Sequence, residues 1–276
     1  MNIFRQIILF FLVLFLSISV KGEDVEVISE TAVNSDVEEI GKTIIDMTAS
    51  AWRVWQDGVI IDNVYVEGSR GILFAGGLSG NIFKSYLIFE QSKNLIKDRG
   101  TLEYIKATAD AFSMSMRNWQ LGYTHDNIPF PQGASCVYTL TSCYNLAVSV
   151  SSGNSTGARM MEEETLYNSI LYNLSVRNEK IFLLSRALAK TFSFEFARWQ
   201  DSCFIADIQA KGGIAPQPAP IGVGPGQVKG AKGNNGKLKG AYFDAEEMKK
   251  NFIKYLDDLN KKRTGKSGVS SISSKI

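Results

Sequence analysis

Apolar residues return at intervals of three and four along much of the chain, the period of helices with one buried face. In the first such stretch Val37, Ile40, Ile44, Met47, Ala51 and Trp55 fall on one side. Ser35-Asp36-Val37-Glu38 reads as a capping box ahead of it, and Asp57-Gly58 is turn chemistry behind it, so a helix over 35–56 is expected. The same reasoning predicts helices over 81–95, 101–119, 158–174 and 177–200. In the third helix Leu102, Ile105, Ala109, Phe112, Met116 and Trp119 make a packing seam. A last helix begins at Asp244, with Glu247 completing a second capping box and Met248, Phe252, Tyr255, Leu256 and Leu259 on its buried side. β-Branched residues over 59–66 and 137–150 suit short hairpins that decorate the bundle. The predicted fold is mainly α: a bundle of about six helices with long charge-poor loops.

The helix ends repeat. Arg53-Val54-Trp55-Gln56-Asp57-Gly58 is followed by Asp62-Asn63, and Arg117-Asn118-Trp119-Gln120-Leu121-Gly122 by Asp126-Asn127, in the same register. Arg198-Trp199-Gln200 is a degenerate third copy: its arginine is one place closer, Ser202 replaces the glycine, and Asp207 comes one place later. The copies are unevenly spaced, which argues for a repeated helical unit with unequal insertions and against a fixed-period solenoid. A tryptophan there packs an apolar face under the exit loop and needs one partner for its indole N–H. The alternative is that Asp62, Asp126 and Asp207 converge on a ligand or calcium, but one aspartate per loop is a thin oxygen set.

Three segments carry no charge: Gly71–Phe83, Asn127–Ala158 and Gly212–Val228, the last holding four of the six prolines. Long loops without charge suit contact with a surface other than water, with the third also readable as a linker. Lys229, Lys232, Lys237 and Lys239, interleaved with glycine, read as a flexible basic loop able to touch anionic lipid or polymer weakly.

The N-terminus narrows the compartment. One arginine, an apolar run from Ile7 to Leu16, and Val20 and Gly22 at the positions before Glu23 form a signal-peptide pattern. The organisation expected is a signal over 1–22, a lead-in over 23–34, a helical domain over 35–262 and a basic tail over 263–276, in a protein that acts outside the cytosol. There an exported chain can form disulfides, and Cys136 and Cys143 are the natural pair, leaving Cys203. Gly71–Phe89 also resembles a weak membrane span, at the cost of Lys84 in mid-bilayer.

Chemistry-bearing motifs are sparse. With one histidine and three cysteines no metal-ligand set is expected, and no cofactor motif is present. A net charge of +2 gives no basis for nucleic-acid binding. The leading functional expectation is an exported, non-enzymatic scaffold that presents uncharged loops for self-association or a protein partner in the cell envelope. The rivals are an exported hydrolase using His125, Asp126 and Cys136, and a membrane-inserting protein.

Overall fold

The computed structural model describes residues 30–93, 96, 98–131, 142–175, 177–211 and 231–270. Residues up to Asp36 form one unit and Val37–Ile276 another, and the architecture below is that of the second. The expected signal segment, Cys136 and the whole of Gly212–Val228 lie outside the described residues.

The helices are α1 (Glu30–Gly58), α2 (Tyr86–Lys93), α3 (Arg99–Gly122), α4 (Glu163–Tyr172), α5 (Glu179–Ser202) and α6 (Ala245–Ser270). Local chemistry sets several starts. Asp98 accepts from the Thr101 amide, Asn178 from the Ile181 amide, and Asp244 Oδ1 from the Glu246 and Glu247 amides. The reciprocal half of the last box is supplied from elsewhere: the Asp244 amide donates to buried Glu195 on α5. Helix α1 begins ahead of Ser35, and α6 runs to Ser270, into the stretch expected to be tail.

The mainly-α expectation is wrong. The protein is mixed α/β, with a seven-stranded antiparallel sheet ordered β6-β10-β11-β2-β3-β5-β8 and smaller pairings β1-β4 and β12-β9-β7. The strands are β1 (Val59–Ile61), β2 (Val64–Glu67), β3 (Arg70–Leu73), β4 (Leu78–Gly80), β5 (Tyr123–Pro129), β6 (Cys143–Tyr144), β7 (Val148–Ser149), β8 (Asn154–Ser155), β9 (Cys203–Ala206), β10 (Gln209–Lys211), β11 (Ala231–Asn234) and β12 (Lys237–Gly240). β1 runs on into β2, β9 into β10 and β11 into β12. Each pair turns a corner at a left-handed residue: Asn63 (φ 59°), Asp207 (φ 59°) and Asn235 (φ 62°). The corners interlock, since the Asn235 amide donates to Asp62 Oδ1 at 3.0 Å and the Asn63 amide to Asn234 Oδ1 at 3.2 Å. The Leu146 amide donates to the Pro129 carbonyl at 2.9 Å, which returns the β6 edge to β5. β5, β3, β2, β11, β10 and β6 thereby close on themselves as a barrel. Val64, Val66, Leu73, Ile128, Phe130, Cys143, Ala210 and Ala231 are buried inside it.

This barrel was hidden because its bore is narrow. A Cβ on Gly71 would meet the Phe130 ring at 2.5 Å, and one on Gly233 would meet Ile208 at 2.6 Å. Glycine and alanine therefore occupy inward positions where an ordinary strand would show β-branched residues. Ala231-Lys232-Gly233-Asn234 alternates buried and exposed, so the segment read as a flexible basic loop is strand β11 leading into β12. Gly71–Phe83 is likewise no free loop. It forms β3 and β4, with Leu73, Leu78 and Phe83 in the core, and the glycine-rich Gly71–Phe89 stretch is not a spanning helix. Among the described residues no helix is long and apolar enough to cross a membrane.

Candidate functional site

The three tryptophan–glutamine helix ends converge on one buried cluster. Over 47–56, 111–120 and 191–200 the helices α1, α3 and α5 show one burial pattern, departing from it only at Ala49 and Gln200. Each helix ends three residues after its tryptophan, at Gly58, Gly122 and Ser202, and each strand starts on the next residue. Those first strand residues pair in an equivalent way: Val59 with Gly80, Tyr123 with Ser155, Cys203 with Gly240. The unit repeated three times is thus a long helix, two barrel strands and a return helix. In this register Asp207 stands where Asn63 does, eight residues past its tryptophan, and both are left-handed. Its true counterpart is therefore Asn63, not Asp62, and the three aspartates do not converge. Asp62 bonds Ser79 and the Asn235 amide, Asp126 is exposed, and Asp207 pairs with Lys239. Among the described residues no acidic, histidine or cysteine cluster could hold a metal ion.

The glutamines cross-link the units. Trp55 Nε1 donates to Gln120 Oε1 at 3.0 Å, and Trp199 Nε1 donates to Gln56 Oε1 at 2.8 Å. Gln56 Oε1 also accepts from Trp52 Nε1 at 3.1 Å. Gln120 Nε2 donates to the Leu78 and Asn81 carbonyls, and Gln56 Nε2 reaches the Ala241 carbonyl. Each glutamine thus ties a neighbouring unit's tryptophan to the strand end ahead of a return helix. The third arm differs, because among the described residues no hydrogen bond joins Trp119 to Gln200. Gln200 instead offers its backbone carbonyl to Ser149 Oγ. Aromatic contacts fill the centre: Trp52 stacks on Phe243 at 3.8 Å, and Trp119 meets Trp199 edge-on at 5.6 Å. With the bonded indoles and amides satisfied, the cluster is a structural hub.

The arginines of the motif diverge. Arg53 lies over the Tyr242 ring, Arg117 is exposed, and Arg198 grips Glu195 through two bonds of 2.9 and 2.6 Å. That carboxylate raises the Arg198 pKa. Sequence reasoning missed Glu195, which is buried one helical turn before Trp199 and also accepts from the Asp244 amide. A groove of about 510 Å³ opens beside Arg53, between α1 and the start of α6, lined in part by Asp46, Ser50, Tyr242 and Glu246. Lys249 bridges Asp46 and Glu246 along its edge.

His125 is buried in β5, at the repeat position held by Ile61 and Ile205 in the other units. Its Nδ1 accepts from the Asn127 amide at 3.2 Å, so the ring proton sits on Nε2, which donates to Ser152 Oγ at 2.9 Å. Asp126 contributes a carbonyl to Arg70, and its exposed carboxylate does not orient the ring. This tautomer points a proton at the Ser152 hydroxyl, the opposite of what a general base needs. Cys203 is buried and free, and burial pushes its thiol up to about 12. Cys136, the partner expected for Cys143, lies outside the described residues. Comparison with known protein families, with curated proteins and with solved structures finds no match for this chain.

Proposed function

We propose that this is an exported, non-enzymatic scaffold whose uncharged segments serve self-association or the binding of a protein partner. The observation that carries the reading is topological. The described ends of two uncharged segments meet in the sheet: Lys211 closes β10, Cys143 opens β6, the two strands pair antiparallel, and Gln209 Nε2 donates to Ser142 Oγ at 2.7 Å. The uncharged stretches 132–141 and 212–228 are continuous in sequence with β6 and β10. Their points of attachment, far apart in sequence, are therefore side by side. The frame itself is rigidified by helices, cross-linked indoles and a packed core. Uncharged polypeptide attached to a rigid frame is suited to presentation, and a binding surface gains affinity when its support is pre-organised.

Gly71–Phe83 takes no part in this presentation, because it belongs to the barrel and its edge. The test uses the mature chain from residue 23 and a variant in which 213–228 is replaced by glycine and serine at equal length. Light scattering after size exclusion, with fractionation of the expressing cells, follows both. Association by the parent and its loss in the variant, at unchanged circular dichroism, is the expected result. A parent that stays monomeric at high concentration and never enters the envelope fraction overturns the proposal.

A further inference from the structure

We infer that His125 is an acid-sensitive latch that holds residues 148–153 against β5 and lets go when its ring is protonated. The segment it holds matters to the architecture. Leu146, just before it, closes the barrel on Pro129, and Val148 and Ser149 pair with β9. Val150 is buried and its carbonyl accepts from Tyr123 Oη at 2.8 Å. Ser152, at the end of the short 3-10 turn, is fastened by His125 Nε2 and passes its own proton to the Ser149 carbonyl at 2.6 Å.

The closed site suits the neutral ring, because Nδ1 is committed as an acceptor while Nε2–H donates in either state. The Asn127 amide is a fixed donor, so Nδ1 must remain a bare acceptor. A proton added to Nδ1 would face that N–H, remove the Asn127 bond, and leave a charge where the other repeats bury isoleucine. Nε2–H can still reach Ser152, so the segment is released by the charged ring's need for water and not by loss of that bond. Burial is the larger influence on the ring and lowers its pKa, while the charge of Asp126 opposes it. The other groups around it do not help. Arg70 on β3 donates to the Asp126 carbonyl, Tyr123 on β5 is neutral, and Asp201 on α5 meets Ser149 only through its backbone. The sign follows. The folded pKa lies below the unfolded value, so the closed state is fully stabilised above about pH 6.5. That contribution is lost as pH falls from there to the folded pKa.

The motive for regarding this as built in is the contrast with the sibling units. Ile61 and Ile205 do the same packing with no polar requirement, and His125 is the only histidine in the chain. Its single ring resonance can therefore be followed without assignment. On the intact mature chain, NMR titration from pH 7.5 to 4.5 should place its midpoint below 6.5. Amide exchange, corrected for intrinsic rate, should show protection over 148–153 falling by up to about tenfold per pH unit below 6.5, while β2 stays protected. His125→Ile, the residue of the sibling units, should flatten that dependence. Ser152→Ala, which keeps the histidine but removes its Nε2 partner, should weaken the segment at neutral pH and retain the acid response. A histidine that titrates at about 6.5 with no change over 148–153, or an acid response that survives in His125→Ile, overturns the inference.

Discussion

Replacing Gln56 by leucine probes the hub most directly. The side chain is buried, and one oxygen accepts two indole protons, from Trp52 at 3.1 Å and Trp199 at 2.8 Å. Leucine is close in volume, so the substitution leaves little cavity and the loss is electrostatic. Two indole N–H groups remain buried without acceptors, each costing about 1–3 kcal/mol, so the expected destabilisation is about 2–6 kcal/mol. Against a total of about 5–15 kcal/mol this is a large fraction. With a urea m-value of about 3 kcal/mol/M, the midpoint should fall by about 1–2 M. All four tryptophans of the chain lie in the cluster, so intrinsic fluorescence reports on the site itself. Trp199→Phe removes one donor and should be costly alone but nearly silent beside Gln56→Leu, because the bond is already gone. A Gln56→Leu loss below about 1 kcal/mol at unchanged m, or full additivity of the two substitutions, would falsify the account of the hub.

Three further outcomes follow from local geometry. Gly157 has an ordinary φ of −91° but no room, since a Cβ would meet the Asn118 carbonyl at 2.4 Å. Gly157→Ala should therefore cost about 1–3 kcal/mol in a thermal or urea melt, because backbone on α3 must move. Asn63 sits at φ 59°, so Asn63→Gly should be nearly neutral and Asn63→Val should cost about 1–3 kcal/mol. Equal melts for the two variants would count against the corner. Cys203 should resist alkylation at pH 8 in the native protein and react on unfolding, as read by peptide mass mapping. Rapid native labelling would contradict a buried thiol held near 12.

Helical periodicity was legible without coordinates. α3 and α5 fall within a few residues of their expected spans, and the caps at Asn178 and Asp244 use ordinary polar chemistry. The matched tryptophan–glutamine pairs were visible for the same reason: a rare residue in register is a local signal. The helix expected over 158–174 breaks into a 3-10 turn at Ala158–Met161 and then α4, because Gly157 is wedged against α3.

What the chain determined alone is therefore local: which stretches coil, where three of the six helices start, and that three helix ends share a design. Tertiary structure decided the rest. Only closure of the barrel explains why Gly71 and Gly233 stand at inward positions, since their absent side chains make space for Val64 of β2, Phe130 just past β5 and Ile208 between β9 and β10. Glu195 became meaningful only when α6 delivered the Asp244 amide to it, and Gln56 only when Trp199 arrived from 143 residues away. Periodicity records which face of a segment is buried. It does not record what meets that face, and the partners here come from other repeats.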